Sequence, residues 1–547
     1  MNPYWVTFYS YKGGVGRTLA LVNSAVILAR LGRNVFLVDF DLEAPGMDSF
    51  NELGLSLGHP GVVEYFSDFA KSGKAPAFKN FIQRAKASVS GSGKVWIMAS
   101  GRKDREYNRK RDDLNWSQLY DEGLGQLMIA EWKATIASDC EPDYVFVDSR
   151  TGLTDIGGVC TLHLPDLVVT LFALNRQNID GIASVLAAVT RAEVDRRPQI
   201  LTVATPVPAG SGDGGGVDEA LKAAGTALGR KIDHRISYNP AAALSEKIFV
   251  LDTANTRRQL VLEYEELVDS IKEKNIAGLD GLLEQSEEAL RTDDERAALE
   301  IAATLEQQFS SRPDGALGLA EIFRQFKGRE SAVPYWEKAL LLDPTLSTAL
   351  DPLVNFYKAR NDYPRVVELC ERFLSARAGD KSEDVLDAWM TKGEALMALS
   401  RPEDAVESYK AALEEGPNDL VRTFNVAEGI RRATKKSDQR LWQSVIELHE
   451  NDREDHSASM YANTAQAMHI AYACVGNLGR AKELLHEARK RVSSMPEVAN
   501  IFSVRTYQFV KKSRFLQDNQ EFLDALDKGM LWDGMKIPST EDQAVDK

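Results

Sequence analysis

Paired cysteines, long apolar runs and clustered histidines are all missing from this chain. Its 547 residues include four cysteines, at positions 140, 160, 370 and 474, and no two of them form a C-x-x-C pair. That spacing argues against zinc bridged by paired cysteines, and the thiols read most simply as reduced and mostly buried in a cytosolic protein. The seven histidines are scattered, so neither a metal cluster nor a Cys/His nucleophile can be read from them. No stretch of 18 apolar residues occurs, so no membrane-spanning helix is expected, and the opening residues run straight into an apolar strand, leaving no space for a signal peptide. A strongly basic half is also lacking. Residues 1–275 hold 31 Lys and Arg against 34 Asp and Glu, a net of −3, and the remainder carries −12 of the total −15. The acidity of the second half argues against nucleic-acid binding through bulk electrostatics. One basic run, Arg102 to Arg111, stands out, but acids are interleaved in it. It reads as a solvated surface loop, with a phosphate or nucleic-acid contact as the alternative.

What is present begins at residue 5. Trp5 to Ser10 reads as an apolar strand, residues 11–16 as a glycine-rich turn, and residues 19–31 as an apolar helix closed by Gly32. Glycines 13, 14 and 16 allow backbone N–H groups to close around an anion, with the helix N-terminus aimed at the same place. Thr18 offers a hydroxyl for Mg²⁺. Three more strands carry chemistry-bearing or buried patterns. Asn34–Phe40 ends in Asp39 and Asp41, Tyr144–Val147 ends in Asp148, and Leu167–Ala173 follows Pro165-Asp166. Acids at the carboxyl ends of strands lie where open α/β sheets bind ligands, although Asp39 reads equally well as a turn former.

The loop departs from the common phosphate-binding pattern, because its first glycine position is Tyr11 and its usual lysine position is Arg17. Lys12-Gly-Gly-Val-Gly-Arg-Thr18 instead resembles the deviant Walker A loop of the ParA/MinD family, whose signature lysine precedes the glycine pair. The resemblance extends over residues 1 to about 275. It implies a doubly wound, mostly parallel α/β P-loop NTPase domain that binds ATP and Mg²⁺, with GTP left open. It also implies nucleotide contacts from Lys12, Gly13, Gly14, Val15, Gly16, Arg17 and Thr18, and metal ligation by Thr18 and, through water, Asp148. Lys12 would act across a homodimer on the partner's nucleotide, and Asp41 would orient the attacking water. Arg17 keeps a charge beside the phosphates but cannot reproduce a point ammonium, so turnover is expected to be slow or negligible. Arg150, next after Ser149, reads as a phosphate or switch contact or as a structural ion pair.

From about residue 282 a helical period takes over and strands are not expected. Residues 331–344 superpose on 404–417: Ala332/Ala405, Trp336/Tyr409, Ala339/Ala412 and Pro344/Pro417 each differ by 73. These segments resemble degenerate tetratricopeptide repeats, in which small alanines let helices approach and an aromatic fills the gap. An irregular helical bundle is the other reading. The expected domains are therefore 1–275 (NTPase), 282–535 (TPR-like helical repeats) and a polar, acidic tail at 536–547, which is not the basic amphipathic helix a membrane anchor needs. The expected function is an ATP-binding and hydrolysing switch that dimerises on nucleotide and recruits a protein partner through its repeats, by analogy in a bacterial signalling or phage-defence system. The alternative is a nucleotide-dependent scaffold with negligible hydrolysis. No membrane partner is expected.

Overall fold

A computed structural model describes the chain apart from residues 1, 122, 153–158, 192–196, 209–214, 245, 253–257, 416–418, 452–457, 498–499, 506–507 and 538–547. Most of the expected tail and Pro417 of the repeat pairing lie outside the described residues. Two compact units result, Met1–Gln308 and Phe309–Lys547.

The first unit is built on one eight-stranded sheet. Its strands are β1 (Tyr4–Ser10), β2 (Asn34–Asp39), β3 (Gln83–Arg84), β4 (Lys94–Met98), β5 (Tyr144–Asp148), β6 (Leu167–Phe172), β7 (Gln199–Val207) and β8 (His234–Ser237). They lie in the order β3-β4-β2-β5-β1-β6-β7-β8, and every pairing is parallel except β3 with β4. The mostly parallel α/β sheet expected from the sequence is present, with the two-residue β3 as an antiparallel edge. Strands β1, β2, β5 and β6 are buried along their whole length, as a sheet covered on both faces requires. Alternate residues of β1 serve opposite cores. Tyr4, Val6 and Phe8 meet the helices α1 (Arg17–Arg30) and Arg258–Lys274. Trp5 faces an aromatic cluster in which its ring lies 5.5 Å from Trp132, and Phe66 lies 5.1 Å from Trp116.

The helix Leu279–Arg291 belongs to this unit and is anchored at the amino ends of the strands. Asp280 takes a forked ion pair from Arg33 at 2.7 Å and a hydrogen bond from the Tyr144 hydroxyl at 3.0 Å. Burial pushes the Asp280 carboxyl up, and Arg33 more than offsets this, holding it below its usual range.

In the second unit consecutive antiparallel helices follow one another: Pro313–Lys327 with Arg329–Leu342, Ser347–Ala359 with Tyr363–Ala376, Glu383–Ala398 with Pro402–Glu415, Leu420–Thr434 with Gln439–Asn451, and Ala458–Cys474 with Leu478–Ser493. Three of these helices begin on a side-chain cap. Asp362, Asp419 and Asn477 accept from the backbone N–H three residues on. The aligned positions are all core: Ala332, Ala339, Ala405 and Ala412 are fully buried, with Trp336 and Tyr409 nearly so. The Tyr409 ring lies between two glycines, because a Cβ at Gly393 would stand 2.4 Å from it and one at Gly429 2.8 Å. Among the described residues the helical run is interrupted by an antiparallel ribbon of Asn500–Ser503 and Gln508–Lys511. The expectation that strands cease after residue 282 misses it, because two four-residue strands carry too little alternation to stand out.

Candidate functional site

The glycine-rich turn leaves β1 at Ser10 and enters α1 at Arg17. Gly14 and Gly16 have φ of 80° and 78°, backbone that residues with a Cβ rarely adopt, and a Cβ at Gly13, Gly14 or Gly16 would meet no atom within 4 Å. Gly16 stands at the N-cap and no side chain caps the first turn of α1. The turn therefore presents an uncapped helix N-terminus beneath an open backbone loop, an arrangement suited to an anion. Val15 is buried in the core below and pins the turn, while Lys12 is exposed. Tyr11, at the position where the common pattern has glycine, lies with its ring on Gly181 of the helix Arg176–Arg191, where a Cβ would come within 2.1 Å of Tyr11 Cγ.

The acids meet the turn from two neighbouring strands. Pairing of β2 with β5 sets Asp39 beside Asp148. Thr18 Oγ1 donates to Asp148 Oδ2 at 2.5 Å, and Arg17 Nε donates to Asp148 Oδ1. The same guanidinium donates to Asp41 Oδ2 at 2.7 Å and to Ser10 Oγ at 3.3 Å. Arg17 is only 7% exposed. Burial works against its charge, but Asp148 and Asp41 hold it well above the usual arginine value. Burial raises the Asp148 carboxyl despite the opposing pull of Arg17. Asp39 is raised further, first by burial and then by Asp148 and Asp41, and it accepts from the N–H of Asp41 and of Met47. Asp39 thus organises the turn after β2 and is also part of the charge cluster.

Of the residues singled out from the sequence, Arg17, Thr18, Asp41 and Asp148 come together. Gly13, Gly14, Val15 and Gly16 form the loop above them, and Lys12 stands outside the cluster. Arg17 is turned toward the acids, whereas the sequence reading set it beside phosphates. Arg150 pairs with Glu43, which ties the residues after β5 to those after β2. Two further tethers hold that second segment. The Tyr107 hydroxyl donates to Leu42 O at 2.7 Å, and Lys103 Nζ donates to Pro45 O at 3.2 Å and pairs with Asp48 at 2.5 Å. These contacts correct the reading of 102–111 as a loop. Residues Arg105–Asp113 form a helix capped by Asp104, with Tyr107 buried beneath it. A helix with a single buried residue shows no apolar period, so only the isolated Tyr107 among charges could have signalled it.

Among the described residues no group of three or more His, Cys, Asp or Glu side chains is arranged to hold a metal. A hard cation that prefers oxygen ligands nevertheless finds a hydroxyl and a carboxylate converging here, on Thr18 and Asp148, and Mg²⁺ commonly takes its remaining ligands from substrate phosphates and water. The residues present fit that ion.

No protein-family model and no curated protein sequence matches the chain. Solved structures do align with its N-terminal half, and they are ParA/MinD-family ATPases. A ParA family ATPase from Chlorobium tepidum TLS is 17% identical, over 49% of this chain and 98% of that one, with a TM-score of 0.37. The septum site-determining protein MinD from Pyrococcus horikoshii OT3, complexed with Mg-ADP, is 15% identical over 51% and 98%, also at 0.37. A Cyanothece McdA–ATP complex is 14% identical over 50% and 96%, at 0.38. None of these likenesses carries a residue role over to this chain. No described helix is long and apolar enough to cross a membrane.

Proposed function

We propose that the first unit is a Mg²⁺-dependent ATP-binding switch with slow hydrolysis, that ATP assembles two copies of it, and that the helical unit recruits a protein partner. The observation that carries this reading is the meeting of Thr18, Arg17, Asp41 and Asp148 at the mouth of an open glycine loop on a helix N-terminus. Backbone N–H groups of residues 13–18 bind phosphate oxygens, and the dipole of α1 favours their charge. Thr18 and, through water, Asp148 would hold Mg²⁺, which supplies charge neutralisation across the phosphate oxygens. Asp41 accepts a hydrogen bond from the water that attacks. Lys12, exposed on the outer side of the loop, is free to reach a second copy. Sedimentation with ADP, ATP and a non-hydrolysable analogue tests the switch: ATP and the analogue should give a two-fold assembly that ADP does not, and Lys12→Ala should abolish it. An assembly state indifferent to both nucleotide and Lys12 would remove the mechanism.

The second reading, a scaffold that binds nucleotide with negligible turnover, is favoured by one observation. Arg17 is committed to Asp41 and Asp148 and not to the loop. Phosphate release from the purified chain, with Asp41→Ala as the control, separates the two.

A further inference from the structure

The cluster at the end of α1 contains one cation, Arg17, already engaged by both acids and by Ser10. Asp148 Oδ1 accepts from Arg17 and Oδ2 from Thr18. Asp41 Oδ2 accepts from Arg17, and its Oδ1 faces Ala44 N at 3.4 Å. The guanidinium lies within the protein, with Ser10 on its third side. A dication brought to Thr18 and Asp148 would stand next to that guanidinium in a poorly screened site, where like charges repel strongly. We propose that Arg17 and Mg²⁺ are competing counter-ions for Asp148 and Asp41, so that loading the metal requires the guanidinium to leave both acids. This rests on the nucleotide reading above and assigns Arg17 a role that precedes the phosphate contact expected of its position.

The placement gives the displaced side chain somewhere to go. Arg17 directly follows the N-cap Gly16, so its stem begins at the edge of the phosphate loop. A planar fork that bonds carboxylates bonds phosphate oxygens equally well. Exchange would move it from one set of anions to another. It would also release Asp41, removing one of the tethers on the segment that follows it, alongside those from Asp39, Arg150, Tyr107 and Lys103. Arg17 is thus a positioning residue that acts through the two acids, and its competition sets how strongly the site needs metal.

The test uses the full chain and Mg²⁺ alone, without nucleotide, with melting temperature and calorimetric binding as readouts. Wild type should not respond to millimolar Mg²⁺. Arg17→Met leaves the acids without their cation, so it should melt lower and regain about 2–4 °C when Mg²⁺ is added. Arg17→Lys covers the case in which the methionine variant does not fold. A point ammonium bonds one acid at a time, so Mg·ADP should bind about tenfold more tightly than to wild type, one charged hydrogen bond fewer being surrendered. The proposal is overturned if wild type responds to Mg²⁺ as Arg17→Met does, or if wild type binds Mg·ADP and Arg17→Lys binds it no better. Loss of ADP binding in all three proteins with the Mg²⁺ contrast intact would sink the nucleotide reading and leave the competition standing. ADP binding in all three without the contrast would do the reverse.

Discussion

Replacing Gly181 by alanine should damage a loop 170 positions away in the chain. A Cβ there would stand 2.1 Å from Tyr11 Cγ, 2.2 Å from Cδ1 and 2.6 Å from Cδ2, all atoms near the root of the tyrosine side chain. Carbon atoms prefer about 3.5–4.0 Å, so an overlap of more than an ångström must be relieved. A flexible tip could swing clear, but these atoms move only if χ1 changes or the backbone at Tyr11 shifts. Overpacking of this kind costs about 1–3 kcal/mol. Tyr11 immediately precedes Lys12 and the glycines, so the strain falls on the phosphate loop. If about 2 kcal/mol appears as lost affinity, nucleotide binding weakens by roughly 30-fold. Titration of a fluorescent ATP analogue into wild type, Gly181→Ala, Tyr11→Gly and the double variant reads this directly. Tyr11→Gly restores the glycine of the common pattern and removes the ring, so it should rescue Gly181→Ala. Wild-type affinity in Gly181→Ala, or a double variant no better than the single one, would refute the reasoning.

Thr18→Ala should weaken nucleotide binding in Mg²⁺ while leaving binding in chelator little changed, because it removes the hydroxyl that faces Asp148; equally tight, still Mg²⁺-dependent binding would contradict it. Gly393→Ala should loosen the second unit by about 1–3 kcal/mol, since Tyr409 is also closed off by Gly429; hydrogen exchange over residues 383–415 should rise accordingly. His469 is fully buried, stacks on Phe522 and hydrogen-bonds Gln466 O, and burial lowers its pKa from 6.5 to about 4. Between those values the unfolded chain binds the extra proton. The contribution, about 3 kcal/mol, is therefore complete above pH 6.5 and is lost as pH falls toward 4. Urea unfolding of the second unit at pH 7.5 and 4.5 should show the difference, and His469→Phe should flatten it.

Much of the sheet is legible in the sequence because its strands are continuous apolar runs bounded by glycine and acid. The runs near 5, 34, 144 and 167 all became strands, and the glycine turn between β1 and α1 lies where its composition set it. Side-chain direction is another matter. Local pattern placed Arg17 in the loop, but its commitment to Asp148 and Asp41 depends on two strands brought beside β1 from elsewhere in the chain. Tyr11 reads as a mere departure from a motif until Gly181 is seen beneath it. Asp39 was evenly balanced between turn and site, and the β2–β5 register makes it part of both. In the second unit the buried alanines and aromatics were visible as a repeat. The 500–511 ribbon was not, since short strands are specified by their partner more than by their own period.

The helix α1 has its ends in two different places. One end is Gly16, at the glycine loop; just past the other is Arg33, clamped on Asp280. At 14 residues it is a stiff rod about 21 Å long. A rod fixed at its far end cannot absorb a push on its near end by sliding freely, so any inward movement of the glycine loop is delivered as a thrust on Arg33, Asp280 and the Tyr144 hydroxyl. The ion pair at residue 280 is thus the far bearing of that rod, and it hands the load to the helix Leu279–Arg291, which carries Asp280.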